Sequence, residues 1–191
     1  MGAVEAINLR FQQGHPTNDI SEAGVLLHQF DGLEDGYAGR KWAPCHSGWC
    51  NGRYDHISVS LVSKQFGRVF NSNAGVIYAP TTQFECSFPH DGGTQSQTIE
   101  HACALNTAYA PSRLKQCLEM QKAAHAGEYN EFVVSSKYID GHLPGVIEAI
   151  MYIDDDSEAR AAHSAYLRMY KRTASQFPLV RYVPGSGFVE G

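Results

Sequence analysis

Hydrophobic and polar positions alternate most cleanly from His56 to Val62. Ile57, Val59 and Leu61 fall on one side there, and Ser58 and Ser60 on the other. A period of two marks a strand with one buried face. The run Gly24–Phe30 is short and nearly all apolar, is closed by Asp31-Gly32, and reads as a buried strand. Further strands are predicted over 75–79, 83–88, 131–135, 146–153 and 179–183; the almost wholly apolar 146–153 is expected at the centre of a sheet. The period turns helical twice. Leu114, Cys117, Leu118 and Gln121 recur at helical spacing behind Pro111-Ser112, with Gly127 as the stop. Ala159, Ala162, Tyr166, Met169 and Tyr170 form the inner face of a last helix, for which Asp156 or Ser157 is the expected cap. Strands outnumber helices and do not alternate regularly with them. The expected class is therefore α+β, a single domain over 1–191 with a mostly antiparallel or mixed sheet and two or three helices.

Composition adds limits. With 191 residues, 43% of them hydrophobic, the chain can bury a sizeable core without a metal or a disulfide scaffold. The net charge is -5, from 15 basic and 20 acidic residues. Basic residues gather only at Arg40-Lys41 and at Arg168, Lys171 and Arg172, the second group on a solvated helix face, so nucleic acid is not indicated as a partner. No apolar run approaches the roughly 20 residues that span a bilayer, so no membrane partner is expected. The N-terminal residues do not read as a signal peptide. A soluble protein, cytoplasmic or secreted with its leader removed, fits equally, and the oligomeric state stays open. Cys45, Cys50, Cys86, Cys103 and Cys117 are odd in number. One or two disulfides with Cys117 free would suit an oxidising compartment, and five thiols a reducing one.

The chain has no Gly-x-Gly-x-x-Gly turn, Walker loop, nucleophile elbow, His-Glu-x-x-His or paired Cys-x-x-Cys. Five constellations remain. Glu131 opens a buried strand in Tyr129-Asn130-Glu131-Phe132-Val133-Val134, where a carboxylate either faces solvent or serves a cleft. Cys45-His46, Cys50, His56, His90-Asp91, His101 and Cys103 include common metal ligands, but their spacing is irregular and no metal is expected. Among nine histidines, pairing with cysteine for nucleophilic catalysis arises easily by chance, and Cys117 reads as core. Asp154-Asp155-Asp156 reads as the start of the last helix rather than a calcium loop. The long loop carrying Trp42, Trp49 and Tyr54 could line a ligand or carbohydrate cleft, or pin itself to the core.

Three patches resemble the poly(ADP-ribose) polymerase-like branch of the ADP-ribosyltransferase superfamily. Tyr129-Asn130-Glu131-Phe132 is similar to the turn and strand with that family's catalytic glutamate. Leu26-Leu27-His28 is similar to its first strand, whose histidine holds the adenosine ribose of NAD, although Gln29 stands where the family has glycine. Gly75-Val76-Ile77-Tyr78-Ala79 is similar to its Gly-Ile-Tyr strand, and Ser58-Val59-Ser60 to the Ser-Thr-Ser strand of the toxin branch. The resemblance implies NAD as substrate, Glu131 and His28 as catalytic groups, and His28, Tyr78, Ser58 and Ser60 as NAD-binding residues. The alternatives are a ligand- or carbohydrate-binding domain built on the 42–54 loop, and a metal- or cysteine-dependent enzyme.

Overall fold

An eight-stranded sheet in the order β4-β5-β2-β1-β3-β6-β7-β8 organises the chain. It is seen in a computed structural model that describes residues 1–30, 56–67, 70, 72–90, 108–135 and 147–191. The strands are β1 (Val25–Phe30), β2 (His56–Val62), β3 (Ala74–Tyr78), β4 (Cys86–Phe88), β5 (Glu131–Ser135), β6 (Ile147–Tyr152), β7 (Leu179–Val183) and β8 (Gly187–Glu190). The helices are α1 (Ala3–Gln13), α2 (Ile20–Ala23), α3 (Leu114–Ala124), led in by a 3-10 turn at Pro111–Arg113, and α4 (Ser157–Tyr170). Neighbouring strands run antiparallel except β6 and β7, which are parallel. A parallel pair needs a crossover, and α4 supplies it. The fold is α+β with a mixed sheet, as the sequence predicts. Four α-helices stand among the described residues, more than the two or three expected.

Each face of the sheet carries its own apolar layer. On one side Leu26, Leu61, Val76, Tyr78, Phe132, Val134 and Ile150 pack with Leu114 and Leu118 of α3 and Ala159, Ala162 and Tyr166 of α4. On the other, Val25, Leu27, Val62, Ile77, Ala149, Met151 and Val180 pack with Ile7 and Phe11 of α1 and Phe188 of β8. The predicted stripe of α3 is buried throughout: Leu114, Cys117, Leu118 and Gln121 all face inward. Burying apolar area on both faces at roughly 25 cal/mol per Å² is what holds the sheet and helices together.

Several elements differ from expectation. The strand predicted over 83–88 forms only at Cys86–Phe88; the chain bends at Glu85, whose N–H still donates to Val133 O at 2.8 Å. β8 follows a tight turn in which Ser186 N–H donates to Val183 O across Pro184 and Gly185, with Gly185 at φ 81°. That is the pattern of a type II turn, and it needs glycine at its third position. At the start of α4, Asp156 occupies the cap position without a side-chain cap bond. Asp155 bonds the Ser157 amide at 2.9 Å instead, and these bonds from Ser157 hold its carboxyl below the ordinary value. No helix among the described residues is long and apolar enough to cross a membrane. The Trp42–Tyr54 loop and Cys45, Cys50, His101 and Cys103 lie outside the described residues.

The feature that makes a site is a fork. β1 and β2 pair only through Val25↔Val62, Leu26↔Leu61 and Leu27↔Ser60. Beyond that, β1 continues along β3 as far as Phe30↔Ala74, while β2 continues along β5 as far as His56↔Ser135. The sheet thus opens into two limbs, β1-β3-β6-β7-β8 and β2-β5-β4.

Candidate functional site at the fork

His28 stands on β1 at the first position past the last β1–β2 pair. Its Nδ1 lies 2.8 Å from the backbone carbonyl of Ser58 on β2. The ring N–H donates to a β2 oxygen where the ladder has ended, which fixes a proton on Nδ1 and sets the ring's orientation. In a flat, continuous ladder, alternation would send the His28 and Glu131 side chains to opposite faces. The fork is what allows both to engage Ser58.

Ser58 turns its hydroxyl the other way, across the second limb. Its Oγ donates to Oε1 of Glu131, the first residue of β5. In the β2–β5 register Ser58 faces Val133, so Glu131 is its diagonal neighbour two residues along, and such diagonals lie within side-chain reach. Ser58 therefore joins the two predicted groups, with His28 on its carbonyl and Glu131 on its hydroxyl.

Glu131 is 2% exposed, which overturns the reading of a strand-end carboxylate on the surface. Among the described residues its second oxygen, Oε2, is buried and has no hydrogen-bond partner. A carboxylate held by a single hydroxyl is poorly compensated for burial, because burying charge is unfavourable unless partners replace water. The fold alone gives no reason to keep it.

What fixes Glu131 is its neighbour, and sequence reasoning missed it. Asn130 is fully buried. Its Oδ1 accepts from Leu61 N–H and from Ser60 Oγ, each at 2.8 Å. Its Nδ2 donates to Leu61 O at 2.8 Å and to Gln121 Oε1 at 2.5 Å. The side-chain amide thus mimics one more rung of the β2–β5 ladder and adds a tie to α3. Gln121 is held in turn by its bond to Glu128 O at 3.1 Å. Gly67 closes over this clamp at φ 62°, its N–H on Ala126 O at 3.1 Å; a Cβ there would stand 2.3 Å from Leu61 O. An amide side chain directly before a strand-opening carboxylate was the signal available in the sequence.

The remaining predicted residues fall elsewhere. Ser60 is fully buried and spends its hydroxyl on Asn130, so it holds the strand in place. Tyr78 lies on β3 in the α3/α4 layer, 1% exposed, with no ring face open to a ligand. Burial pushes its phenol well above the ordinary range. Gln29, at the family's glycine position, accepts from Ser72 N–H at 2.8 Å and so ties the end of β1 to the approach to β3. The structure brings together His28, Ser58 and Glu131, places Ser60 in the Asn130 clamp behind them, and leaves Tyr78 to packing. In comparisons with known proteins, the chain matches no family model and no curated sequence, so the functional reading rests on this geometry and on the residues that form it.

Proposed function

We propose that the chain is an NAD-using glycosyl transferase of the ADP-ribosyltransferase kind, acting at the fork between β1 and β2. The single observation that carries the reading is the buried Glu131 carboxylate, gripped at Oε1 by the hydroxyl of Ser58, whose carbonyl holds His28, and among the described residues unpartnered at Oε2. In the proposed reaction the bond between nicotinamide and the ribose anomeric carbon breaks. Nicotinamide leaves with the bonding pair, and positive charge develops on the ribose. An acceptor nucleophile then bonds to that carbon and gives up its proton. Glu131 would bond a ribose hydroxyl through Oε2 and stabilise the developing charge, the kind of preorganised electrostatic contribution that is often the largest in catalysis. His28 would position the adenosine ribose, and Ser58 would hold the carboxylate in register. Tyr78 takes no part in binding on this reading.

Binding is the first test. NAD should raise the melting temperature of the chain in a concentration-dependent way, because a ligand that binds only the folded state stabilises it by mass action. Nicotinamide should accumulate in the same samples. A chain that shows neither response at millimolar NAD is not an NAD transferase.

A further inference from the structure

A second cluster lies off the site, where the end of β4 meets the turn from α3 to β5. His90 follows β4, and His125 caps the C-terminus of α3. Their ring centres are 5.3 Å apart, with planes inclined at 40°. A cation about 2 Å from a ligating imidazole nitrogen lies roughly 3 Å from that ring's centre, so two imidazoles on one tetrahedral cation have centres about 5 Å apart. The observed spacing is compatible with a shared cation, as it is with an ordinary ring pair.

The state of each ring agrees. His125 Nδ1 lies 2.9 Å from Oε2 of Glu128, so its N–H donates to the carboxylate and Nε2 is the nitrogen not engaged by Glu128. A carboxylate behind an imidazole is the usual support for a metal-binding histidine. His90 Nδ1 is buried and has no hydrogen-bond partner among the described residues. A ring nitrogen in that state lacks what water would give it, and a cation would supply it. The last carbonyls of α3 also favour positive charge beside His125.

We propose that His90 and His125 form a binding site for a divalent first-row cation of the zinc, nickel or copper class, with Glu128 orienting His125. Imidazole nitrogen suits these ions and does not suit magnesium or calcium. Among the described residues no group of three ligands converges, and the site proposed is the pair of ring nitrogens from His90 and His125. The bound ion would fasten the end of β4 to the turn that leads into Asn130 and Glu131. The site stands apart from the NAD reading and survives its failure.

The test uses the full chain, stripped with chelator and titrated with zinc chloride by calorimetry. One equivalent should bind to the unmutated chain and should be lost in both His90→Gln and His125→Gln. Glu128→Gln should weaken it roughly 10- to 100-fold. Melts of each apo variant beside the apo parent separate lost zinc binding from lost folding. In the unmutated protein, added nickel should broaden the His90 and His125 ring resonances before any others. Absence of binding at millimolar zinc, binding that survives both histidine substitutions, or nickel broadening centred elsewhere would each overturn the proposal.

Discussion

The Ser58 hydroxyl donates to Glu131 Oε1 across the β2–β5 limb, while the carbonyl of the same serine accepts from the His28 ring across the open fork. One residue thus contacts both predicted groups. A hydrogen bond to a charged group contributes about 1.5–3 kcal/mol. Ser58→Ala should therefore slow nicotinamide release roughly 10- to 100-fold while the carbonyl contact to His28 persists. Steady-state assay beside a circular-dichroism melt checks this, and an undiminished rate in a folded variant would remove Ser58 from the account.

Asn130 and Gly67 should behave as one clamp. Asn130→Ala strands the Leu61 amide and carbonyl, the Ser60 hydroxyl and the Gln121 amide together. Each buried polar group left unpaired costs about 1–3 kcal/mol. The variant should lose at least about 3 kcal/mol in urea unfolding, and Gly67→Ala should be similarly harmful, because its Cβ meets the Leu61 carbonyl. Losses below about 1 kcal/mol in both would show that the clamp does not hold the β2–β5 limb.

The sequence made the strands legible where periodicity was strong, as at His56–Val62, and made α3 legible through its apolar stripe. It did not reveal α1, whose buried contacts come down to Ile7 and Phe11 among polar neighbours. Nor did it reveal β8, four residues long with Phe188 as its one large inward side chain. The fork was invisible because strand pairing between residues 25–30 and 56–62 is a long-range choice that no local pattern encodes. Glu131 stood out by residue type and setting, and His28 and Ser58 by a resemblance. Asn130 did not, because its role consists of bonds to Leu61 and Gln121 made only after β2, β5 and α3 have met. Tyr78 was drawn to the site by its motif, yet β3 lies on the far side of β1 from β2.

Cys117 is a free thiol, buried on α3. Burial pushes its pKa up to about 11, against a smaller lowering effect of a bond with Ser87. In the folded chain at neutral pH it should resist iodoacetamide, and it should react at the ordinary rate in denaturant. Because the folded state holds this proton more tightly than the unfolded state, stability should fall as pH rises from the ordinary thiol value towards 11. Mass spectrometry of the native protein after alkylation provides the check; rapid labelling of Cys117 would contradict it.

Arg10 of α1 bonds Glu148 of β6 beneath the helix, with both side chains mostly covered. Burial raises the Glu148 pKa above its ordinary value, and the Arg10 charge and hydrogen bond pull it back. Arg10→Met removes that restraint and should lower stability by about 2 kcal/mol at neutral pH. A raised folded pKa contributes stability at low pH that is lost as pH rises through it, so the deficit should be larger at pH 8 than at pH 5. Urea titrations at the two values measure it, and an equal deficit at both would refute the assignment.

The most direct measurement compares the unmutated chain with Glu131→Gln for nicotinamide release from NAD, each sample also being melted with and without NAD. The account predicts a fall in rate of at least about 100-fold, comparable with losing a principal charge-stabilising group, with the NAD-induced rise in melting temperature retained. A Glu131→Gln protein that releases nicotinamide as fast as its parent would contradict it.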